Sequence, residues 1–435
     1  MRYKILPPQR PINGSITISA SKSFTNRALI CAATTAGIST IRSYSPSDDS
    51  SALLNALSQV GIGISDQGGD VLISGGADAI INDSRVIDVG PAGTTMRFLV
   101  SLLAATDSGT TILRGSERMH ERPIKDLVNA LRTIGASIEY LGKEGCPPLK
   151  IIGNVLPGGS VTVSGSTSSQ FLTSLLLAAP LCAEGLAITV EGGLVSSSYV
   201  GTTLSVMRAF GVNVEGDLQT GTFKVPRGSH YSPTTYTPEG DASGATYLWG
   251  IAAISGGYVR VSNISHDSAQ GDVRFVALLE QMGCKITSGT ESGVPWIAVQ
   301  GPDRLRSITT DMTLLPDAAQ TLAVVAATAD GTSTITGLST LVVKETNRIT
   351  ATVNELKRCG IAAAGTHDSL IISGGAPHPA ECFETYEDHR MAMAFAMLGT
   401  RYPGVVIHNP KVTSKSYPSF WDDITSLGCS IESAT

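Results

Sequence analysis

The sequence predicts an α/β protein made of two similar domains, each with three copies of one structural unit. Three observations predict it. An apolar run of helical period, closed by Gly and followed by a short β-like run, recurs six times. A second set of helices, apolar nearly all round and rich in small residues, alternates with the first. Short strand candidates with period-two alternation fill the spaces between them. The closing glycines are Gly61, Gly135, Gly211, Gly283, Gly360 and Gly428, spaced 68 to 77 residues apart. A Gly just past a helix end takes the left-handed conformation that other residues resist, which is why it recurs there.

Along the chain, Gly14 to Ala20 reads as a strand, with Ile16 and Ile18 alternating with Ser15, Thr17 and Ser19. Ser21-Lys22-Ser23-Phe24-Thr25-Asn26-Arg27 then leads into an apolar helix through Ala28 to Ala33. With a helix beginning near Ser23, Lys22 and Arg27 are expected close to one turn apart on its first face. The Gly-closed copies are Leu53/Leu54/Leu57 before Gly61, Leu127/Leu131 before Gly135 and Leu204/Met207/Phe210 before Gly211. Val276/Leu279/Met282 precede Gly283, Val353/Leu356 precede Gly360, and Trp421/Ile424/Leu427 precede Gly428. The alternating buried helices are expected at 94–106, 170–179, 245–254, 316–329 and 389–398, with strands at 110–113, 159–163, 187–190, 258–261 and 332–335. Pro226 to Thr234, before Pro238-Glu239-Gly240-Asp241, is the loosest stretch and marks a crossing between domains. Three repeats follow residue 237, so the first strand is assigned to the second half.

Composition excludes several classes. The 435 residues are 42% hydrophobic and 16% charged, with 46 Gly, so the chain is globular. A net charge of −6 argues against a nucleic-acid backbone as partner. The seven Cys are scattered without a CxxC, which suits a reducing cytosol and opposes a disulfide framework or a Cys-based zinc site. No signal-peptide core opens the chain and no apolar run reaches membrane length, so a cytoplasmic enzyme is expected.

Charge and hydroxyls gather at helix starts, where free N–H groups favour anions. Asp88 to Arg97 is a Gly-rich turn entering a helix, and Glu117 to Ile124 carries Arg118 and Arg122 beside Pro123. Ser166 to Gln170 and Ser196 to Tyr199 are hydroxyl clusters. Asp317 follows Pro316. Lys344 and Arg348 stand four apart with Glu345 beside them, a spacing of like charge that asks for an anion between them. Asp388-His389-Arg390, with Lys411 and Lys415, repeats the theme. Taken singly, each cluster also reads as an ordinary capped helix or charged surface turn. Together, Lys22, Arg27, Arg122, Arg348, Arg390 and Lys415 suit substrates with several anionic groups, and Asp317 and Glu345 are acid–base candidates among them. No Walker loop, Rossmann fingerprint, zinc motif or Gly-x-Ser-x-Gly is present.

These motifs resemble, in order and over essentially the whole chain, the 5-enolpyruvylshikimate-3-phosphate (EPSP) synthase family, the 3-phosphoshikimate 1-carboxyvinyltransferases. The matching positions are Ser21-Lys22-Ser23 with Arg27, Gly93-Thr94 with Arg97, Arg118-Met119 with Arg122-Pro123-Ile124, and Ser168-Ser169-Gln170. Pro316 to Ala319, Lys344-Glu345-Thr346 with Arg348, and Asp388 to Met393 complete them. The resemblance implies the enolpyruvyl transferase fold, an inside-out α/β barrel of three βαβαββ units per domain. It implies a discontinuous domain of residues 1–19 plus 237–435, a second domain of residues 20–236, and an active site in the interdomain cleft. It implies transfer of the enolpyruvyl group of phosphoenolpyruvate to the 5-hydroxyl of shikimate 3-phosphate, without metal or organic cofactor, by a monomer.

By motif, Lys22, Ser23, Arg27, Ser168, Ser169, Gln170, Ser196, Tyr199, Asp317, Thr340 and Lys344 resemble the shikimate 3-phosphate site. Lys22, Gly93, Arg122, Gln170, Arg348, Arg390 and Lys415 resemble the phosphoenolpyruvate site. The resemblance makes Lys22, Asp317, Glu345, His389 and Lys415 the catalytic candidates. Asp317 would take the hydroxyl proton and Glu345 would serve C3. Lys22 is a second proton carrier, Lys415 assists the leaving phosphate, and His389 orients phosphoenolpyruvate. Gly93 is retained where larger residues would crowd glyphosate, an expected inhibitor. Departures are Pro91 and Thr340 where Asn is common, Asn347 where Asp is common, and Ser197-Ser198 in place of Lys-Pro. Only the first two fall where substrate contacts are expected, and they bear on affinity and glyphosate sensitivity more than on reaction class.

The rivals are the UDP-N-acetylglucosamine enolpyruvyl transferases, an enolpyruvyl transferase with another acceptor, and a non-catalytic anion-binding homologue. The first would place a reactive Cys near Arg118 to Arg122, where none stands. The last would lose Lys22, Asp317 or Glu345, and all three are present.

Overall fold

In the computed structural model, which describes residues 1–81, 83–378 and 382–434, two kinds of helix alternate. In chain order they are α1 (Lys22–Thr34), α2 (Asp48–Gln59), α3 (Gly93–Ala104), α4 (Lys125–Thr133), α5 (Ser169–Ala178) and α6 (Ser197–Ala209). Then come α7 (Ala242–Ser255), α8 (Phe275–Gln281), α9 (Ala319–Ala326), α10 (Arg348–Arg358), α11 (His389–Ala396) and α12 (Phe420–Ser426). The odd-numbered helices are the apolar ones. In α7 every residue from Gly244 to Ile254 is buried, as an all-round apolar surface requires. The even-numbered helices bury one stripe: α4 buries Leu127, Val128, Ala130 and Leu131 and exposes Lys125, Asn129 and Arg132.

The glycines that close the even-numbered helices all have positive φ, from +78° at Gly360 to +106° at Gly283. Beyond them the backbone turns back on the helix: Ile62 N–H donates to the Leu57 carbonyl at 3.1 Å, and Val212 to Met207 at 2.9 Å. This satisfies carbonyls the helix end would leave unpaired and redirects the chain into the next strand.

The strands repeat one sheet order. Arg85–Asp88 runs parallel to Thr110–Arg114, which is antiparallel to Leu149–Ile152, which is antiparallel to Ser137–Tyr140. With α3 and α4 between strands this is a βαβαββ unit, and the pattern recurs around α5/α6 and α9/α10. Other repeats take a strand from a distance. Asn13–Thr17 lies parallel to Tyr258–Ser262 in the α7/α8 repeat, and Thr235–Tyr236 lies parallel to Gly37–Ile41 in the α1/α2 repeat. In the last repeat Arg2–Leu6 runs antiparallel between Val405–His408 and Ser430–Ala434.

The chain accordingly forms two compact units, Met1–Ser19 with Gly240–Thr435, and Ala20–Glu239. Each has its own apolar core, one around α7, α9 and α11, the other around α1, α3 and α5. Among the described residues no helix is long and apolar enough to cross a membrane.

Three local expectations shift. The first run pairs over Asn13–Thr17 and its helix begins at Lys22. The run after Gly211 alternates, with Val212 buried and Asn213 exposed, but pairing begins only at Glu215, opposite Lys224. The stretch opened by Pro316 starts as a 3₁₀ turn, Pro316–Ala318, before α9.

Candidate active site

The expected site residues fall into two clusters, one in each unit, both at helix starts. In the unit spanning Ala20–Glu239 the starts of α1, α3, α5 and α6 are tied together. Gln170 Nε2 donates to Thr94 Oγ1 at 3.4 Å, and the Thr173 and Thr203 hydroxyls meet at 2.9 Å. Arg27 is buried and reaches from α1 to α6: Nε donates to Thr203 Oγ1 at 2.8 Å and Nη2 to the Tyr199 carbonyl at 3.2 Å. Its Nη1 donates to the Ser23 carbonyl at 2.8 Å and its guanidinium lies 5.6 Å from the Phe98 ring centre. Burial lowers its pKa to about 10, still high enough to keep the charge at neutral pH.

Lys22 points elsewhere. Its Nζ pairs with Asp49 Oδ2 at 2.9 Å. The expectation that Lys22 and Arg27 share a face is corrected: with the helix beginning at Lys22, five residues put them about 140° apart. Gly93 opens α3, and a Cβ there would lie 2.7 Å from a guanidinium nitrogen of Arg122 and of Arg97. Arg97 donates to the Gly93 carbonyl at 3.1 Å and to the Pro123 carbonyl at 3.2 Å. Arg122 is buried, whereas Arg118 is exposed and pairs with Glu121 at 2.6 Å. Ser168 caps α5 by accepting from Gln170 N–H at 3.2 Å, and Ser169 beside it is buried. Ser196 precedes α6 with φ +53° and makes no side-chain cap. Tyr199 is half-buried in the first turn of α6.

In the other unit the cluster centres on Arg348, the first residue of α10 and 2% exposed. Its Nε donates to Asp388 Oδ2 at 2.7 Å, Nη1 to Asp317 Oδ1 at 3.0 Å, and Nη2 to Glu345 Oε2 at 2.9 Å. Burial depresses its basicity, but Asp388, Glu345 and Asp317 more than offset this and raise it above that of a free guanidinium. Arg390 donates to Asp317 Oδ2 at 3.1 Å and to the Asp317 carbonyl at 3.0 Å. Lys344 Nζ lies 3.5 Å from Asp317 Oδ1, and Lys415 Nζ lies 3.6 Å from Glu345 Oε1. The anion expected between Lys344 and Arg348 is thus Asp317, whose carboxylate serves cations and makes no helix cap.

His389 is buried with Nδ1 3.6 Å from Asp388 Oδ1. The Thr340 side chain is buried, and among the described residues its hydroxyl makes no hydrogen bond. Lys411 is exposed. Asn347 is exposed and caps α10 by accepting from Thr350 N–H at 3.1 Å, so it performs the capping task of an Asp.

Three residues joined to these clusters, Asp49, Thr203 and Asp272, were not singled out from the sequence, nor was Glu355, which grips the segment just before Asp388. Asp272 is buried, accepts a hydrogen bond from Ser243 and lies in the field of Asp317. Burial first, and Asp317 second, raise its carboxyl from 3.8 to about 6, against the pull of Arg390 and Ser243. Asp49 stands at the start of α2 and Thr203 in the middle of α6, positions that ordinary helix chemistry explains.

Known proteins share this sequence and this fold over nearly the whole chain. Residues 6–424 match the family model for EPSP synthase (3-phosphoshikimate 1-carboxyvinyltransferase). The 3-phosphoshikimate 1-carboxyvinyltransferase of Vibrio campbellii is 38% identical over 434 residues, 99% of this chain and 100% of that one. That of Photobacterium profundum is 40% identical over 432 residues, covering 98% and 99%. The solved EPSP synthase of Acinetobacter baumannii superposes with a TM-score of 0.83 at 26% identity, covering both chains fully. A chain matched over nearly its whole length by sequence and by fold, with its expected charged motifs at the helix starts, belongs to the EPSP synthase family.

Proposed function

We infer that this protein transfers the enolpyruvyl group of phosphoenolpyruvate to the 5-hydroxyl of shikimate 3-phosphate, releasing inorganic phosphate. The reaction is addition followed by elimination. The 5-hydroxyl oxygen bonds to C2 of phosphoenolpyruvate, its proton leaves, and C3 gains a proton, giving a tetrahedral intermediate. The C2–O bond to phosphate then breaks as C3 loses a proton, leaving the enolpyruvyl ether.

The observation that carries this reading is the set of contacts around Arg348. Four cations, Lys344, Arg348, Arg390 and Lys415, are laced through Asp317 and Glu345. Two anionic substrates need several fixed positive groups, and the proton steps need carboxylates among them. Arg348, Arg390, Lys415, Lys22, Gly93, Arg122 and Gln170 are assigned to phosphoenolpyruvate. Ser23, Arg27, Ser168, Ser169, Gln170, Ser196, Tyr199, Asp317, Thr340, Lys344 and Lys22 are assigned to shikimate 3-phosphate, the serines to its phosphate and Arg27 to its carboxylate. Asp317 takes the hydroxyl proton once substrate anions compete for Arg348 and Arg390, and the hydroxyl replaces a guanidinium as its partner. Glu345 exchanges the proton at C3, with Lys22 as the second proton carrier. Lys415, beside Glu345, assists the departing phosphate, and His389 orients phosphoenolpyruvate. The protein is further proposed to act as a cytoplasmic monomer inhibited by glyphosate.

Product analysis by mass spectrometry tests the acceptor. Incubation with phosphoenolpyruvate and shikimate 3-phosphate is expected to yield the enolpyruvyl ether, while UDP-N-acetylglucosamine yields none. An adduct of UDP-N-acetylglucosamine, or no product from folded protein, overturns the assignment.

A further inference from the structure

Behind the Arg348–Asp388 pair lies a second clamp on the same helix. Glu355 stands seven residues after Arg348 on α10, two turns along the same face. Its side chain is fully buried. Oε1 accepts from the Tyr386 hydroxyl at 2.8 Å, and Oε2 accepts from Glu384 N–H at 3.1 Å and Arg358 Nη1 at 2.7 Å. The segment it grips is strained: Tyr386 and Glu387 both have φ +54°, the left-handed region that residues with a Cβ resist. The very next residue is Asp388, which holds Arg348, caps α11 by accepting from Arg390 N–H at 2.9 Å, and precedes His389 and Arg390.

The same turn is tied on its other side. Glu387 Oε1 accepts from Asn409 Nδ2 at 2.8 Å, and Asn409, with φ +44°, begins the 3₁₀ helix Pro410–Lys415 that ends in Lys415. Burying a carboxylate costs more than an apolar contact of the same size, so general stability alone does not favour Glu355 at this place. Its bonds fall on the turn whose conformation needs outside support. Burial and the contact with Glu355 raise the Tyr386 phenol to about 12, so it remains the proton donor of that bond at neutral pH.

We propose that Glu355 is a positioning residue: by pinning Tyr386 and the Glu384 N–H it fixes the left-handed turn at 386–387 and so aligns Asp388 with Arg348 and sets the placement of Arg390. No part of the transfer reaction passes through Glu355 itself. Its kinetic consequence rests on the assignment of Arg348 and Arg390 to phosphoenolpyruvate; its structural consequence does not.

The test uses full-length Glu355→Gln and Tyr386→Phe proteins. Gln keeps the volume but sets an NH₂ against the Glu384 and Arg358 donors, while Phe at the part-exposed residue 386 removes one bond and leaves the core intact. Hydrogen–deuterium exchange over 384–392 reads the turn directly, through the Asp388, Arg390 and Ala392 amides, each bonded within the segment. Glu355→Gln is expected to speed exchange there at least tenfold, with α9 unchanged. The KM for phosphoenolpyruvate is expected to rise at least tenfold, with that for shikimate 3-phosphate within twofold. Tyr386→Phe is expected to shift both readouts about threefold in the same direction, and it decides the matter if Glu355→Gln does not fold. Unchanged exchange over 384–392 overturns the proposal, even with a lower melting temperature. So does faster exchange that leaves the phosphoenolpyruvate KM and kcat within twofold. If the wild type turns over neither substrate, the functional reading fails, and the exchange measurement still decides whether Glu355 holds the turn.

Discussion

Arg348 holds three carboxylates on one buried guanidinium, a task its planar fork performs and a lysine's point charge does not. Arg348→Lys is expected to lower kcat/KM for phosphoenolpyruvate by about 10²-fold or more. Leaving Asp388 buried without its partner is expected to cost stability on the order of 3–5 kcal/mol, read from chemical denaturation. Gly93 makes a complementary case. A Cβ there meets two guanidinium groups at 2.7 Å, so Gly93→Ala is expected to displace Arg122. It should raise the phosphoenolpyruvate KM about tenfold with a smaller change in kcat, in steady-state kinetics. Asp272 gives a pH signature. Its folded carboxyl, raised to about 6 by burial and then by Asp317, binds a proton more tightly than the unfolded one at 3.8. Its stabilising contribution is therefore complete below about pH 4 and is lost as pH rises through about 6, a change on the order of 3 kcal/mol. Asp272→Asn is expected to gain melting temperature relative to wild type at pH 7 and to lose that advantage at pH 4, measured by calorimetry.

Among the elements, the recurring Gly past each amphipathic helix was legible because one residue type answers one backbone demand. Its cost of replacement differs with the surroundings. At Gly61, φ +99°, a Cβ would lie 2.6 Å from Ile81 Cγ1 and 2.8 Å from the Ala79 carbonyl, whereas at Gly211, φ +89°, it would meet only Ser232, at 3.2 Å. Gly211→Ala is expected to cost about 1–2 kcal/mol from backbone strain, and Gly61→Ala more, judged by melting temperatures of the two variants. The clusters were legible for a similar reason: Lys, Arg, Ser and Asp recur at helix starts, which the fold brings together. Their partners were not, because they come from far along the chain. Lys22 finds Asp49 across 27 residues and Arg27 finds Thr203 across 176, and neither partner breaks a local pattern. Glu355 is hidden differently. It occupies an ordinary place in an amphipathic helix, and only the fold brings the 384–387 segment onto it. The run after Gly211 misled because period-two alternation reports burial, and burial begins there before pairing does.

For the whole molecule, strand exchange is what a single repeat could not reveal. The N-terminal strand Arg2–Leu6 covers two edges in the last repeat, and Ile5 on it is fully buried against Gly399, where a Cβ would lie 2.6 Å away. Repeats built alike place helix starts alike, so each unit gathers its own cluster of charged and hydroxyl groups there. The proposed transfer reaction needs Asp317 among the cations around Arg348. The most direct measurement is phosphate release from phosphoenolpyruvate by wild type and Asp317→Asn, each with and without saturating shikimate 3-phosphate. Release by the wild type that depends on shikimate 3-phosphate is expected. For Asp317→Asn, kcat should fall by at least about 10²-fold while both KM values stay within about fivefold. Phosphate release that ignores the acceptor, or an Asp317→Asn enzyme within tenfold of wild type, would contradict the assignment of this cluster to the chemistry.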